Sequence, residues 1–127
     1  MLRTMKLTGP RIESDVVKHV VSEIISRGEC TLAPGVSVDV GTVLAQIDGG
    51  DGTFVPINFA AEDGSENPAA IAIAQKPSST ATQPVLALRR LGAVSAANLI
   101  WPDGATQQQV SDALKKLEAF FIFPVWS

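Results

Sequence analysis

The chain has one cysteine, one histidine and no tyrosine. Nucleophilic and acid–base catalysis draws heavily on those residue types, so the usual catalytic inventory is nearly empty. A lone thiol, Cys30, excludes an internal disulfide and suits a reducing compartment. Charge is scarce too: Asp, Glu, Lys and Arg make up 18% of the chain, where about a quarter is usual for a soluble domain. With 46% hydrophobic residues, that composition excludes a disordered polyelectrolyte and points to apolar surface that a partner covers. A basic excess is also missing. Ten Lys and Arg against thirteen Asp and Glu leave a net charge of −3, the wrong sign for affinity built on phosphate contacts. No apolar run approaches the ~20 residues of a membrane-spanning helix. Arg3 and Lys6 near the start are not followed by an apolar stretch, so the segment does not read as a secretory signal. What is left is a 127-residue single domain, large enough to bury a core without staples and expected to be made in the cytosol.

The residues that do resemble chemical motifs fall short of them. His19 stands beside Lys18 among β-branched valines with no orienting partner in view, and reads as an ordinary packed or surface histidine. Cys30 follows Glu29, an acidic neighbour that would raise a thiol pKa, and reads as a small buried hydrophobe. Gly35-Val36-Ser37-Val38-Asp39 begins like a nucleophile elbow, but Asp39 occupies the place of the second glycine. Asp48-Gly49-Gly50-Asp51-Gly52 lacks the alternating acids and closing Glu of a calcium loop, and reads as a Gly-rich turn. The acids of Glu62-Asp63-Gly64-Ser65-Glu66 lie among turn formers, as in a solvated loop. Phosphate-binding loops, dinucleotide fingerprints and zinc-type spacings are absent, so neither an enzyme nor a cofactor is expected.

Periodicity divides the chain into an arm, a β-rich body and one late helix. Gly9-Pro10 breaks any regular element in the first residues. Val16, Val17, Val20, Val21, Ile24 and Ile25 have helical spacing yet are all β-branched, so helix and strand remain open for Asp15–Ile25. Thr31–Gly35 reads as a turn, and Val36–Val40 alternates at period two as a strand. Gly41 turns into a strand over Thr42–Ile47. Another follows over Thr53–Ile57, where Pro56 demands an edge or a bulge. Ala69–Ala74 fits a buried strand, Lys76–Thr82 an exposed loop, and Val85–Leu91 a strand whose Arg89 and Arg90 form a solvated end. Thr106-Gln107-Gln108-Gln109 matches a capping box. Behind it Val110, Ala113, Leu114, Leu117 and Phe120 make the apolar stripe of a helix over about 106–119, with Lys115, Lys116 and Glu118 facing out. Pro124 forbids helix in Phe121–Trp126, which reads as a closing strand. So much terminal aromatic surface belongs either in the core or in a subunit interface.

Three stretches carry a family resemblance. Ser26–Gly35 followed by Val40-Gly41-Thr42-Val43-Leu44, the apolar Ala70–Ala74, and Leu99-Ile100-Trp101-Pro102-Asp103 with the helix after it are together similar to the head decoration proteins of tailed phages. The Trp-Pro ahead of a short polar helix is the most specific of them, and the likeness spans most of the chain from about Ser26. It implies an α+β, β-rich, β-clip-like small domain with one short C-terminal amphipathic helix and an extended N-terminal arm. In that family such chains form homotrimers on the outer surface of the expanded head, stabilise it against internal DNA pressure, and are assembled in the bacterial cytoplasm. The arm, often disordered in solution, orders by strand addition to the major capsid protein. Here residues 1–25 would be that arm and 26–127 the decoration domain. The arm's contacts would involve Leu2, Lys6, Leu7, Ile12, Val16, Val17, Val20 and Val21, although the segment is unusually rich in Val and Ile for a flexible arm. Trp101, Pro102, Phe121, Phe123 and Trp126 are the candidates for contact between subunits, with burial inside its own subunit as Trp101's other reading. Neither nucleic acid nor membrane is an expected partner. Low charge and spare apolar surface agree with this reading.

Two other classes compete. Val40–Ile47 is also similar to a strand of lipoyl and biotinyl carrier domains, but Lys6, Lys18 and Lys76 do not occupy the hairpin tip where the modified lysine of such a domain sits. A stand-alone β-clip module that binds a sugar or peptide would need a concave site rimmed with polar and aromatic groups, for which two Trp and no Tyr offer little.

Overall fold

The computed structural model describes residues 13–22, 25–47 and 52–125. Most of the expected arm (1–12), most of the Gly-rich turn at 48–52, and Trp126 lie outside the described residues.

The longest ladder pairs β2 (Arg27–Leu32) antiparallel with β6 (Gln83–Leu88) over six residues each. Period-two alternation sorts their side chains: Cys30, Leu32, Val85 and Ala87 are buried, while Glu29, Thr31 and Leu86 face out. β3 (Val43–Gln46) pairs with β4 (Phe54–Pro56) on one side and β5 (Ala70–Ala72) on the other. β5 joins β6, and β4 meets β2 in parallel at Leu32 and Phe54, which closes a five-stranded barrel in the order β2-β4-β3-β5-β6. One core cluster takes the inward residues of all five strands, among them Leu32, Leu44, Phe54 and Val85. Ala70, Ala72 and Ala87 belong to it as well. Their small side chains suit a barrel too narrow for large groups from every strand. Pro56 ends β4 two residues past the contact with β2, an edge position that tolerates its missing N–H, as its sequence context requires.

β3 and β5 are buried on both faces, which is why Val43-Leu44-Ala45 and Ala70-Ile71-Ala72 read as unbroken apolar runs. Their outer residues Val43, Ala45 and Ile71 belong to a second cluster with Val94, Leu114, Leu117 and Ile122. Over that face lies a three-stranded sheet, β1 (Val17–Val20), β7 (Gly92–Ser95) and β8 (Ile122–Val125), with β7 in the middle. β7 is antiparallel to β1 and parallel to β8. A parallel pair needs a crossover, and α2 (Gln107–Leu117) lies in it. The capping box forms as the sequence predicts: Thr106 Oγ1 accepts from Gln109 N, and Gln109 Oε1 accepts from Thr106 N. Ala113, Leu114 and Leu117 are buried beneath α2.

The segment left open between helix and strand contains both. α1 (Glu13–Val16) makes one turn and drops Val16 into the core, and β1 then sets the half-buried Val17 and Val20 against the same cluster. The helical spacing and the β-branched preference each govern a few residues. Glu13 is ion-paired with Arg27 at the start of β2, and Asn98 Nδ2 donates to Asp15 O at 2.8 Å, so α1 is held from two sides.

Several expectations shift. Val36–Val40 alternates in burial but joins no sheet; its only ladder contact is one bridge from Val38 to Lys76. Thr31 and Leu32 end β2 rather than start a turn, and the turn falls on Pro34-Gly35, where Gly35 has φ +80°. β6 stops at Leu88, and β7 begins at Gly92 after a tight reversal through Leu91. Arg89 and Arg90 are not a freely solvated pair: Arg89 lies 5.4 Å over the Phe54 ring, and Arg90 Nη1 donates to Ile25 O at 2.6 Å. Phe120 falls off the helical stripe because the last turn tightens to a 3-10 turn over Glu118–Phe120, which leaves its ring exposed.

Gly41 is required where it stands. Its φ is +101°, and a Cβ there would come within 2.7 Å of Asn98 O and 3.2 Å of Val16 Cγ2. Gly41 N donates to Ala72 O of β5, and Ile100 N donates to Gly41 O, so this one residue links the barrel to the segment that follows β7.

Candidate functional site

Among the described residues no three His, Cys, Asp or Glu side chains come together as metal ligands. His19 is exposed on β1. Cys30 is buried in the barrel, and burial pushes its thiol pKa up while the Arg89 guanidinium pulls it partly back. The direction is the one the sequence predicts, but desolvation rather than Glu29 causes it. In the acidic loop, Ser65 donates from both Oγ and N to Asp63 Oδ1 and lowers that carboxyl's pKa, so this cluster is a self-satisfied turn.

Two surfaces stand out instead. The first is apolar and surrounds the reversals at the end of the three-stranded sheet. Val21 is 66% exposed, Phe121 58%, Ile25 53%, Phe123 47% and Phe120 40%. Backbone hydrogen bonds tie their segments together: Val21 N and Leu91 O, Leu91 N and Phe120 O, Gly92 N and Phe121 O, all between 3.0 and 3.1 Å. Ser26 Oγ, itself buried, donates to Leu91 O at 3.0 Å and pins the same corner. Leu91 and Phe121 both adopt left-handed backbone, with φ of 57° and 60°. Side chains of their size rarely do so, at a cost of about 1–2 kcal/mol each. Phe121 and Phe123 meet edge to face at 6.5 Å, so the rings are partly packed before anything covers them.

The second surface is an open groove of about 830 Å³ between the residues that follow β7 and those that flank β3. Trp101, Pro102 and Pro56 supply its apolar lining, and Asp39, Asp103 and Lys76 its charges. Trp101 is half-buried, packs on the second core cluster and stacks on Phe59 at 6.2 Å with planes 20° apart.

The residues predicted to join subunits therefore separate. Phe121 and Phe123 lie in the apolar patch, Trp101 and Pro102 in the groove, and Trp126 outside the described residues. Of the residues predicted for capsid contact, Val16 is fully buried in the chain's own core, Val17 and Val20 are half-buried against it, and Val21 is exposed. Leu2, Lys6, Leu7 and Ile12 lie outside the described residues. Val16 is spent on the core of its own subunit and has no surface to offer, which separates it from Val21. Sequence reasoning missed Ile25 and Phe120 as members of the patch and Phe59 as the support of Trp101. None carries a local signal, since each owes its place to contacts distant in sequence.

Comparison with curated protein sequences gave no match. Comparison with family models did: the model described as bacteriophage lambda head decoration protein D matches residues 6–122. The match takes in the barrel, the groove, α2 and most of the apolar patch, and the role its description gives is structural. It agrees with the exposed apolar patch and the open groove, surfaces that suit docking. The chain belongs to the bacteriophage lambda head decoration protein D family and is a component of the phage capsid.

Proposed function

We propose that the chain binds the outer surface of the expanded head as a homotrimer and stabilises the shell against internal DNA pressure. The exposed patch of Val21, Ile25, Phe120, Phe121 and Phe123 carries the reading, because five large apolar side chains at one corner need a protein partner to cover them. We assign self-association to Phe121 and Phe123. The capsid-contacting role falls on the part of the 1–25 arm not spent on the subunit's own core, namely the residues before Glu13 together with the exposed Val21. Stabilisation follows from linkage: a ligand that binds only the expanded lattice lowers the free energy of that lattice alone. Three arms on one trimer would raise the effective concentration of each. A net charge of −3 suits an outer surface rather than one packed against DNA.

Co-sedimentation with emptied shells of the encoding phage tests this, with unexpanded and expanded shells run in parallel. Saturable binding to expanded shells alone is the expected result. Equal binding to both would remove the expansion-specific mechanism, and binding to neither would remove the decoration reading for this chain. Analytical ultracentrifugation of the free protein tests the stoichiometry separately.

A further inference from the structure

We propose that the Asp103-Gly104 pair at the rim of the groove is a site of spontaneous isoaspartate formation, because its carboxyl and the neighbouring amide are exposed and without hydrogen bonds, whereas both are engaged in the Asp63-Gly64 pair.

Asp is followed by Gly at 48–49, 51–52, 63–64 and 103–104. In such a pair the glycine nitrogen can reach the aspartate Cγ, since no Cβ on the glycine obstructs the closing five-membered ring. Asp48 and Asp51 lie outside the described residues. The other two pairs differ at each reacting atom. Gly64 is buried, and its N donates to Glu66 Oε1 at 2.9 Å. Ser65 donates from N and Oγ to Asp63 Oδ1, which fixes that carboxyl and lowers its pKa. A nitrogen that is already donating and a carboxyl that stays ionised both resist the reaction.

Asp103 and Gly104 stand exposed in the turn after Trp101-Pro102. Among the described residues neither the Asp103 carboxyl nor Gly104 N makes a hydrogen bond. Ala105 N donates to Pro102 O at 3.2 Å and so closes the turn around the pair without using either reacting atom. A Cβ built on Gly104 would meet no atom within 4 Å, so the ring has open space in which to close.

The chemistry needs only water. Gly104 N bonds to Asp103 Cγ, the Cγ–OH bond breaks, and the hydroxyl leaves as water with the amide proton. Water then adds to a ring carbonyl. Addition at the main-chain carbon of Asp103 breaks its bond to Gly104 N, so the chain runs on through Cγ and a new carboxylate is left on Cα. Mass and charge are unchanged. The main chain gains one methylene, and the carboxylate moves from the side chain to the backbone. Asp103 lines the groove with Trp101 and Lys76, and Thr106, the N-cap of α2, lies two residues beyond Gly104. The rim of the groove therefore changes with the age of the molecule, in one direction.

The test incubates the full chain near neutral pH, folded in one sample and unfolded in urea in another. Peptide mapping by mass spectrometry with electron-based fragmentation reads the β-linked fraction at each Asp over time. In the folded chain we expect residue 103 to gain it at least about tenfold faster than residue 63, the size of effect that hydrogen bonds to charged groups exert. In urea the two rates should come within about threefold of each other, because both pairs lose their folded surroundings. Glu66→Ala, which releases Gly64 N, should raise the folded rate at 63 several-fold and leave the rate at 103 unchanged. Equal rates at 63 and 103 in the folded chain, or no product at 103 while it folds, would overturn the proposal. A tenfold gap that persists in urea would assign the contrast to neighbouring residues instead of the fold, and would overturn it too. No shell is present, so the result stands apart from whether the chain decorates a head.

Discussion

Every strand of the barrel has a neighbour on both sides, whereas among the described residues β1 and β8 of the three-stranded sheet each have only one. The barrel buries its inward residues completely and leaves Leu86 as its exposed large apolar side chain among the described residues. The three-stranded sheet covers the barrel with one face, and at its corner the chain exposes five large apolar groups and holds two bulky residues at positive φ. One β-unit is thus optimised for its own stability, and the other keeps surface and strain in reserve. On the proposed function, that difference divides the chain between a part that holds the fold and a part left for partners.

Substitutions can break or sharpen that contrast. The largest effect is expected inside the barrel, where Leu44 is fully buried between two strands; Leu44→Ala should cost about 3–4 kcal/mol in chemical denaturation. Gly41→Ala strikes the joint between the barrel, α1 and the segment that follows β7. Its positive φ and the 2.7 Å approach to Asn98 O should cost about 2–3 kcal/mol, with the three-stranded sheet losing hydrogen-exchange protection before the barrel. Thr106→Ala removes half of the capping box and should cost about 1 kcal/mol, recovered in part by Thr106→Ser.

At the patch the order reverses. Phe121→Gly should leave monomer stability within about 1 kcal/mol of the parent, since relief of the left-handed backbone offsets the lost ring contact. Self-association measured by sedimentation should nevertheless weaken more than for any barrel variant that still folds. If Phe121→Gly instead destabilised the fold as much as Leu44→Ala, the division between the two regions would collapse. The smallest effect concerns Cys30. Burial raises its thiol pKa, so the folded state keeps a proton that the unfolded chain gives up. Its contribution is present below the unfolded value near 9 and is lost as pH rises through the folded value. The stability gap between the parent and Cys30→Ala should narrow as pH rises above about 9.

The same contrast explains what the sequence disclosed. Barrel strands are legible because two-sided burial writes continuous apolar runs at Val43–Ala45 and Ala70–Ala72, and α2 is legible because Thr106 and Gln109 encode its cap locally. β7 was not, since Gly92-Ala93-Val94-Ser95 is short and weakly apolar and becomes a strand only by lying between β1 and β8. Val36–Val40 misled for the opposite reason: alternation reports burial on one side, and burial there comes from Val38 packing into the barrel cluster and Val40 into the second cluster rather than from a ladder. The patch was legible in Phe121 and Phe123, which follow a helix end and flank a proline. Val21 and Ile25 join it through the Leu91 reversal, which no local pattern announces.

The open sheet also limits how the chain can grow. β1 carries a bulge between Val17 and His19, and β8 contains Pro124, which has no N–H to offer a further strand. Head-to-tail strand pairing has no natural stopping point and ends in fibres. With both borders blunted, neither edge among the described residues offers a further copy a regular run of backbone donors on which to extend the sheet.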